Sequence, residues 1–323
     1  MIAMIATDII LFVLGAALVI FGAEWLVDGA SAIARKFGIS EFVIGLTIVG
    51  FGTSCPELVV SLTGAFKGLA DISIGNVVGS NIFNTLLILG LTAAVAPVAV
   101  TRSNRRRDIP ITLLVTFLLV LCGMSFSIAG IGKGDNLSRI EGIVFLVVFA
   151  AYLYSSFKFD EGSSEEDGGK RINNVWAAVG LVAAGLAGLI IGGRFFVDAA
   201  TKIASMAGVS EKFIASTILA GGPSLPELVT SIVAAAKHKG QLALGNILGS
   251  NVFNILLILG LSAVVTPLSM AGMSLVDVGV LLLSAILVWM WTYTGRKDHI
   301  DRWEGIVMLL CFVAYYVWLF KTI

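Results

Sequence analysis

Long apolar runs separated by short polar breaks fill the chain from end to end, covering roughly 8–27, 41–66, 72–97, 109–130, 139–158, 174–195, 212–236, 241–266, 274–294 and 303–320. Most are about 20 residues or more, the length a helix needs to cross a hydrocarbon core ~30 Å thick. The ten-residue alternation of a membrane β-strand is absent. The pattern therefore predicts an all-α polytopic membrane protein with about ten transmembrane helices. The first run contains Glu24 and is too long for the apolar core of a signal peptide, so it reads as a retained span. One strongly polar stretch of any length remains, FDEGSSEEDGGKRINN, which is acidic and rich in Gly and Ser. It predicts a flexible linker over 159–173 between a first unit, 1–158, and a second, 174–323, with five spans in each.

The two units are copies. Gly52-Thr53-Ser54-Cys55-Pro56-Glu57-Leu58, followed by GNVVGSNIFNTLLILGL, matches Gly222-Pro223-Ser224-Leu225-Pro226-Glu227-Leu228, followed by GNILGSNVFNILLILGL. Glu57 and Glu227 are 170 positions apart, and so are Asn84 and Asn254. The motif regions extend over 50–97 and 220–267. Likeness continues through Gly22, Asp28 and Glu41 with Gly192, Asp198 and Glu211, and later through SRIEGIVFLVVFAAY with DRWEGIVMLLCFVAY. An odd number of spans per copy means that the second copy enters the membrane in the opposite direction, a plan common among secondary transporters.

Each motif places a glutamate inside an apolar segment. A carboxylate at the bilayer centre costs about 2.5–3.5 kcal/mol on the lenient insertion scale, and no equally buried cation accompanies it in sequence. Pro56 and Pro226 precede the glutamates, remove a backbone hydrogen bond and predict a break in each helix that frees carbonyl oxygens. The next span adds Asn76, Ser80, Asn81 and Asn84, and its twin adds Asn246, Ser250, Asn251 and Asn254. Ser80 and Asn84 share a helix face, as do Ser250 and Asn254. Gly75 and Gly79, with Gly245 and Gly249, are suited to close helix approach. Two carboxylates among neutral oxygens suit a hard cation: Ca²⁺ takes six to eight oxygens, and two glutamates balance its charge. Na⁺ accepts the same oxygens, and a site holding one or the other couples their movements.

Composition narrows the alternatives. The chain has 323 residues, 58% hydrophobic and only 13% charged, against about 25% charged in a soluble domain. Net charge is zero, and no basic patch suggests nucleic acid. Cys55, Cys122 and Cys311 are odd in number and lie in apolar segments, which argues against a disulfide framework. No zinc-protease or serine-hydrolase motif is present, so the chain is not expected to be an enzyme. His238 and His299 read as surface residues, and Asp28 and Asp198 as helix-end charges. One side collects Arg35, Lys36, Arg102, Arg105, Arg106, Arg107, Lys158, Lys170, Arg171, Lys237, Lys239, Arg296, Lys297 and Arg302. That side is expected to be cytoplasmic, which puts both termini outside.

The doubled pattern G-T-S-x-P-E, then G-N-x-x-G-S-N-x-x-N, with one change in the second copy, resembles the α-repeats of the sodium/calcium exchanger family of Ca²⁺/cation antiporters. The resemblance spans nearly the whole chain. It implies ten transmembrane helices in two inverted five-helix repeats, a central site between broken helices two and seven, and alternating access in which helices one and six slide past the rest. By position, it implies that Glu57 and Glu227 are the principal Ca²⁺ ligands and that Thr53, Ser54, Ser80, Ser224 and Ser250 supply further oxygens. Asn84 and Asn254 fall at the centre as neutral ligands or hydrogen-bond partners. Two departures stand out. Pro223 replaces a usual Thr and keeps only its carbonyl, and Asn254 replaces a frequent Asp, which leaves two carboxylates in place of three. The expected function is secondary exchange of Na⁺ for Ca²⁺ across the plasma membrane. A proton- or K⁺-coupled exchanger on the same fold and a Ca²⁺ channel are the alternatives. No cofactor is expected, Ca²⁺ and Na⁺ being cargo. The bilayer is the expected surrounding partner, and the sequence does not set the oligomeric state.

Overall fold

The computed structural model of the protein describes residues 2–124, 135–160, 162, 172, 174–295 and 298–322. The predicted linker therefore lies almost wholly outside the described residues, as do Lys133, Lys170, Arg171, Arg296 and Lys297. The first helix, α1 (Ile2–Phe37), is much longer than the predicted 8–27. It is followed by α2 (Glu41–Thr53), α3 (Cys55–Phe66), α4 (Ala70–Val95), α5 (Ile109–Gly123) and α6 (Arg139–Lys158). The second unit begins with α7 (Val175–Met206) and α8 (Glu211–Ile214, continued by Ala215–Leu219). It goes on through α9 (Leu225–Ala236), α10 (Gly240–Val265), α11 (Leu275–Trp291) and α12 (Arg302–Thr322). Six of the described helices are individually long and apolar enough to cross a membrane. The pair α2–α3, bent by 49°, passes the same test jointly, while α9 and α11 are apolar but shorter.

Burial separates two kinds of helix. In α4 and α10, 72% and 83% of the apolar window is buried, against 28% in α6 and 17% in α12. The helices that carry the Ser and Asn residues thus form the centre. The outer helices turn Ile140, Val147, Leu310 and similar side chains outward, as a lipid-facing surface requires.

Lipid offers little hydrophobic drive for helix association, so close packing of small residues must supply it. A Cβ added at Gly15 would lie 2.8 Å from Gly192 O, one at Gly22 2.9 Å from Gly185 O, and one at Gly29 2.7 Å from Ala178 O. As α1 is followed forward, its partner on α7 is followed backward, so the two sequence-equivalent helices pack antiparallel. An ion pair between Asp8 and Lys202 (3.5 Å) joins the ends of the same pair. Gly90 meets Gly305, and Gly142 meets Gly260, again between equivalent positions with the halves exchanged. Two short antiparallel ribbons follow the same rule: β1 (Val98–Ala99) pairs with β4 (His299–Ile300), and β2 (Asn136–Leu137) pairs with β3 (Leu268–Ser269).

Four π-helical stretches occur at matching places in the two halves, Gly45–Val49 with Ala215–Leu219 and Phe83–Leu89 with Phe253–Leu259. Such wide turns often mark functional sites.

Glycine packing generates a test with an internal control. A Cβ at Gly185 would stand 2.6 Å from Leu26 N, whereas one at Gly180, on the same helix, meets nothing within 4 Å. Gly185→Ala is expected to destabilise the detergent-solubilised protein by about 1–3 kcal/mol through forced helix separation. Gly180→Ala is expected to be neutral or stabilising by about 0.5–1 kcal/mol. Thermal unfolding of both variants checks this, and equal shifts would remove the close α1–α7 contact from the stability argument.

Candidate cation site

Each motif breaks its helix, but the two breaks differ. In the first unit only Ser54 leaves helical geometry, and α3 restarts at Cys55. In the second the chain makes a turn over Gly222–Ser224 before α9 starts at Leu225. Pro56 and Pro226 sit in the first turn of the new helices, where a missing N–H is not needed. Glu57 and Glu227 therefore lie in the first turns of α3 and α9, where the positive ends of the helix dipoles favour negative charge.

Both glutamates are fully buried. Their hydrogen bonds cross between the halves. Ser224 Oγ donates to Glu57 Oε1 at 2.8 Å, and Ser54 Oγ donates to Glu227 Oε1 at 2.9 Å. Ser80 and Ser250, on α4 and α10, reach the same oxygens at 3.5 Å and 3.4 Å. Ser224 and Ser80 lie 3.1 Å apart. The other carboxylate oxygen of each glutamate, Oε2, is buried with no protein partner. Among the described residues, neither glutamate has a Lys, Arg or His partner within ion-pair distance. Two carboxylates, each with one unpaired oxygen, and four serine hydroxyls thus converge where the halves meet.

A second set of bonds holds the glutamate backbone. Asn76 Nδ2 donates to Glu57 O (3.1 Å) and Ser61 Oγ (2.9 Å). Asn246 Nδ2 donates to Glu227 O (3.5 Å) and Ser231 Oγ (2.9 Å). Ser61 and Ser231 are not among the residues that the sequence singles out, because a serine one turn beyond a glutamate carries no signal until its partner helix is placed.

Thr53 Oγ1 lies 3.0 Å from Val49 O and 3.1 Å from Asn246 Oδ1, so the hydroxyl sits between an acceptor of its own helix and one on α10. Its twin, Pro223, has no hydroxyl to offer Asn76. Pro223 lines a cavity of about 400 Å³ with Cys55, Pro56, Gly222, Pro226 and Arg194. Asn84 is buried with both amide atoms unpartnered, and Asn254 is buried with Oδ1 unpartnered. The site-residue candidates Glu57, Glu227, Ser54, Ser80, Ser224 and Ser250 are thus joined by direct bonds. Thr53 is engaged with a helix neighbour, and Pro223 lies in the break.

The glycines correct one expectation. Gly245 and Gly249 do permit close approach, since a Cβ there would lie 2.2 Å from Phe42 O and 2.5 Å from Leu46 O. Gly75 and Gly79 are exposed, and a Cβ there would meet nothing within 4 Å. The reason is that α2 lies across α10, while among the described residues α4 has no such cover at the equivalent positions. On the covered side Lys239 Nζ pairs with Glu41 Oε1 (2.9 Å) and Lys237 Nζ with Asp28 Oδ1 (2.7 Å).

Comparison with known proteins agrees with this architecture. Residues 7–158 and 177–321 match the sequence family described as sodium/calcium exchanger protein. The chain is 33% identical to sodium/calcium exchanger MaX1 of Methanosarcina acetivorans over 98% of its length and 99% of that protein. It is 34% identical to inner membrane protein YrbG of Escherichia coli, covering 96% of this chain and 94% of the relative. A solved structure of the sodium-calcium exchanger NCX_Mj, soaked without Na⁺ and Ca²⁺, superposes with a TM-score of 0.84 at 33% identity. That match covers 98% of this chain and 99% of the other. With two buried glutamates bridged by serines of opposite halves and this likeness running end to end, the chain belongs to the sodium/calcium exchanger family.

Proposed function

We propose that this protein exchanges Na⁺ for Ca²⁺ across the plasma membrane by alternating access, with Glu57 and Glu227 as the charged ligands. The observation that carries the reading is the pair of fully buried glutamates with no Lys, Arg or His partner among the described residues, each keeping one oxygen unpaired. Two carboxylates balance one Ca²⁺, and the surrounding hydroxyl and amide oxygens supply neutral ligands for Ca²⁺ or Na⁺. Ser54, Ser80, Ser224, Ser250, Asn84 and Asn254 are the neutral candidates, joined by the oxygens of Thr53 and the Pro223 carbonyl. A proton- or K⁺-coupled exchanger would use the same carboxylates, so the driving ion is decided by transport.

The asymmetry around the site supports alternating access. One approach is covered by α2 on α10 and latched by Lys239–Glu41 and Lys237–Asp28. The equivalent approach, beside Gly75 and Gly79, is open. With the Lys- and Arg-rich side cytoplasmic, the covered approach faces inward and the open one outward. Exchange of the two packings between the halves would reverse access.

Purified protein in proteoliposomes is expected to take up radioactive Ca²⁺ when an outward Na⁺ gradient is imposed, and to respond far less to K⁺ or proton gradients. Glu57→Gln and Glu227→Gln are each expected to reduce that flux to background while folding normally. Near-normal flux in either variant would exclude that residue from the site.

The antiparallel packing of equivalent helices supports ten spans in two inverted five-helix repeats, 1–158 and 174–323. Single cysteines at Ser103 and Ser274, in a background lacking the native three, are expected to divide. An impermeant thiol reagent added to intact cells should label position 274 and spare 103. The reverse pattern would invert the orientation, and equal labelling would overturn the span count.

Pro223→Thr is expected to strengthen or steepen the Na⁺ dependence of transport and to change Ca²⁺ affinity less. The added hydroxyl supplies an oxygen to a neutral Na⁺ shell, whereas Ca²⁺ is held mainly by carboxylates. Superimposable Na⁺ curves with equal Hill slopes would assign Pro223 to stiffening of the Gly222–Ser224 turn alone.

A further inference from the structure

Asn254 is held in one orientation by a chain of bonds that starts at the backbone. Asn81 Nδ2 donates to the carbonyl oxygen of Asn251 at 3.2 Å. A carbonyl only accepts, so Asn81 must give it the NH₂ end and turn Oδ1 the other way. That Oδ1 accepts from Asn254 Nδ2 at 2.9 Å. The NH₂ of Asn254 is thereby engaged, and its Oδ1 is left buried without a protein partner. Asn254 follows Ser250 by about one helical turn, and Ser250 reaches Glu227. The spare oxygen therefore belongs to the helix face that carries the candidate cation site.

The other half contains the same asparagines but not the same bonds. The twin of Asn81 is Asn251, and the twin of Asn254 is Asn84. Asn251 Nδ2 donates to Thr85 Oγ1 at 2.9 Å, its Oδ1 has no partner, and neither atom of the Asn84 amide has one. The position equivalent to Thr85 is Ile255, which offers no acceptor. One hydroxyl thus diverts one asparagine of the pair, and the second half alone keeps the bond that orients its central amide.

We propose that Asn81 is a positioning residue of the cation site: it holds the NH₂ of Asn254 so that Oδ1 is presented to the ion, while Thr85 diverts Asn251 and leaves Asn84 unoriented. An amide rotated by half a turn presents two N–H donors where a cation needs an oxygen. The orientation of Asn254 therefore governs affinity without Asn81 touching the ion. This inference rests on the cation-site reading above.

The test titrates the purified full-length protein with CaCl₂, and separately with NaCl, reading the unfolding temperature and Ca²⁺ flux. Asn81→Ala is expected to weaken apparent Ca²⁺ affinity about fivefold with little change in maximal flux, the loss set by one oriented neutral hydrogen bond. In an Asn254→Asp background both ends of residue 254 are oxygens, and there Asn81→Ala is expected to change affinity by less than about twofold, because nothing needs orienting. Thr85→Val, nearly isosteric, is expected to free Asn251 to hold Asn84 and to tighten binding by about twofold or more. This gain keeps the inference testable if Asn81→Ala fails to fold. An equal loss from Asn81→Ala in both backgrounds, or no gain from Thr85→Val, would overturn the positioning role. A wild-type protein that responds to neither Ca²⁺ nor Na⁺ would remove the site reading itself, and the positioning role with it.

Discussion

Burial of two carboxylates with no Lys, Arg or His partner among the described residues dictates how everything around them is arranged. A lone carboxylate in such surroundings is costly, and its charge must be met by dipoles, donors or an ion. Here the helices restart just before Glu57 and Glu227, so the positive ends of α3 and α9 face them. A serine from the opposite half donates to each, Ser224 to Glu57 and Ser54 to Glu227. Neither half can complete its own glutamate. The site exists only where the two halves interlock, and one oxygen of each carboxylate remains without a protein partner.

That interlock must be held without much hydrophobic drive. The glycines of α1 and α7 bring backbone against backbone at several levels, and Gly90, Gly142, Gly260 and Gly305 do the same around the centre. The polar helices α4 and α10 are enclosed by the others, which accounts for an outer surface so rich in exposed apolar side chains. The scaffold is thus an apolar frame around a polar centre. Its symmetry is broken in three places: α2 covers α10 with no equivalent cover over α4 among the described residues, Pro223 stands where the first half has Thr53, and Ile255 stands at the position of Thr85. Each break changes packing or hydrogen bonding in one half while leaving both glutamates buried with a serine of the opposite half.

The doubled motif, the many apolar helices and the two buried glutamates are all legible in the chain itself. They rest on local rules: apolar runs of spanning length, proline beside glutamate, and a constant spacing of 170 positions. The helix breaks and the serine and asparagine faces follow from the same rules, because helical periodicity alone decides which residues share a side. Where the rules describe only one chain segment at a time, they fall short. The glycines Gly75 and Gly245 look alike in sequence, yet one faces open space and the other touches Phe42 O.

Composition and spacing are enough to specify the class of protein, the duplication and the two glutamates set in apolar segments, because each is a property of one segment or of two segments compared. How the halves meet is a property of the packed molecule. Packing assigns Ser224 to Glu57 and Ser54 to Glu227, brings the Thr53 hydroxyl within reach of Asn246 and gives Asn81 and Asn251 different partners. These are contacts between residues far apart in the chain, set by the crossing of helices and by which donor reaches which acceptor. Such distances exist only once the helices have packed, so no local pattern encodes them.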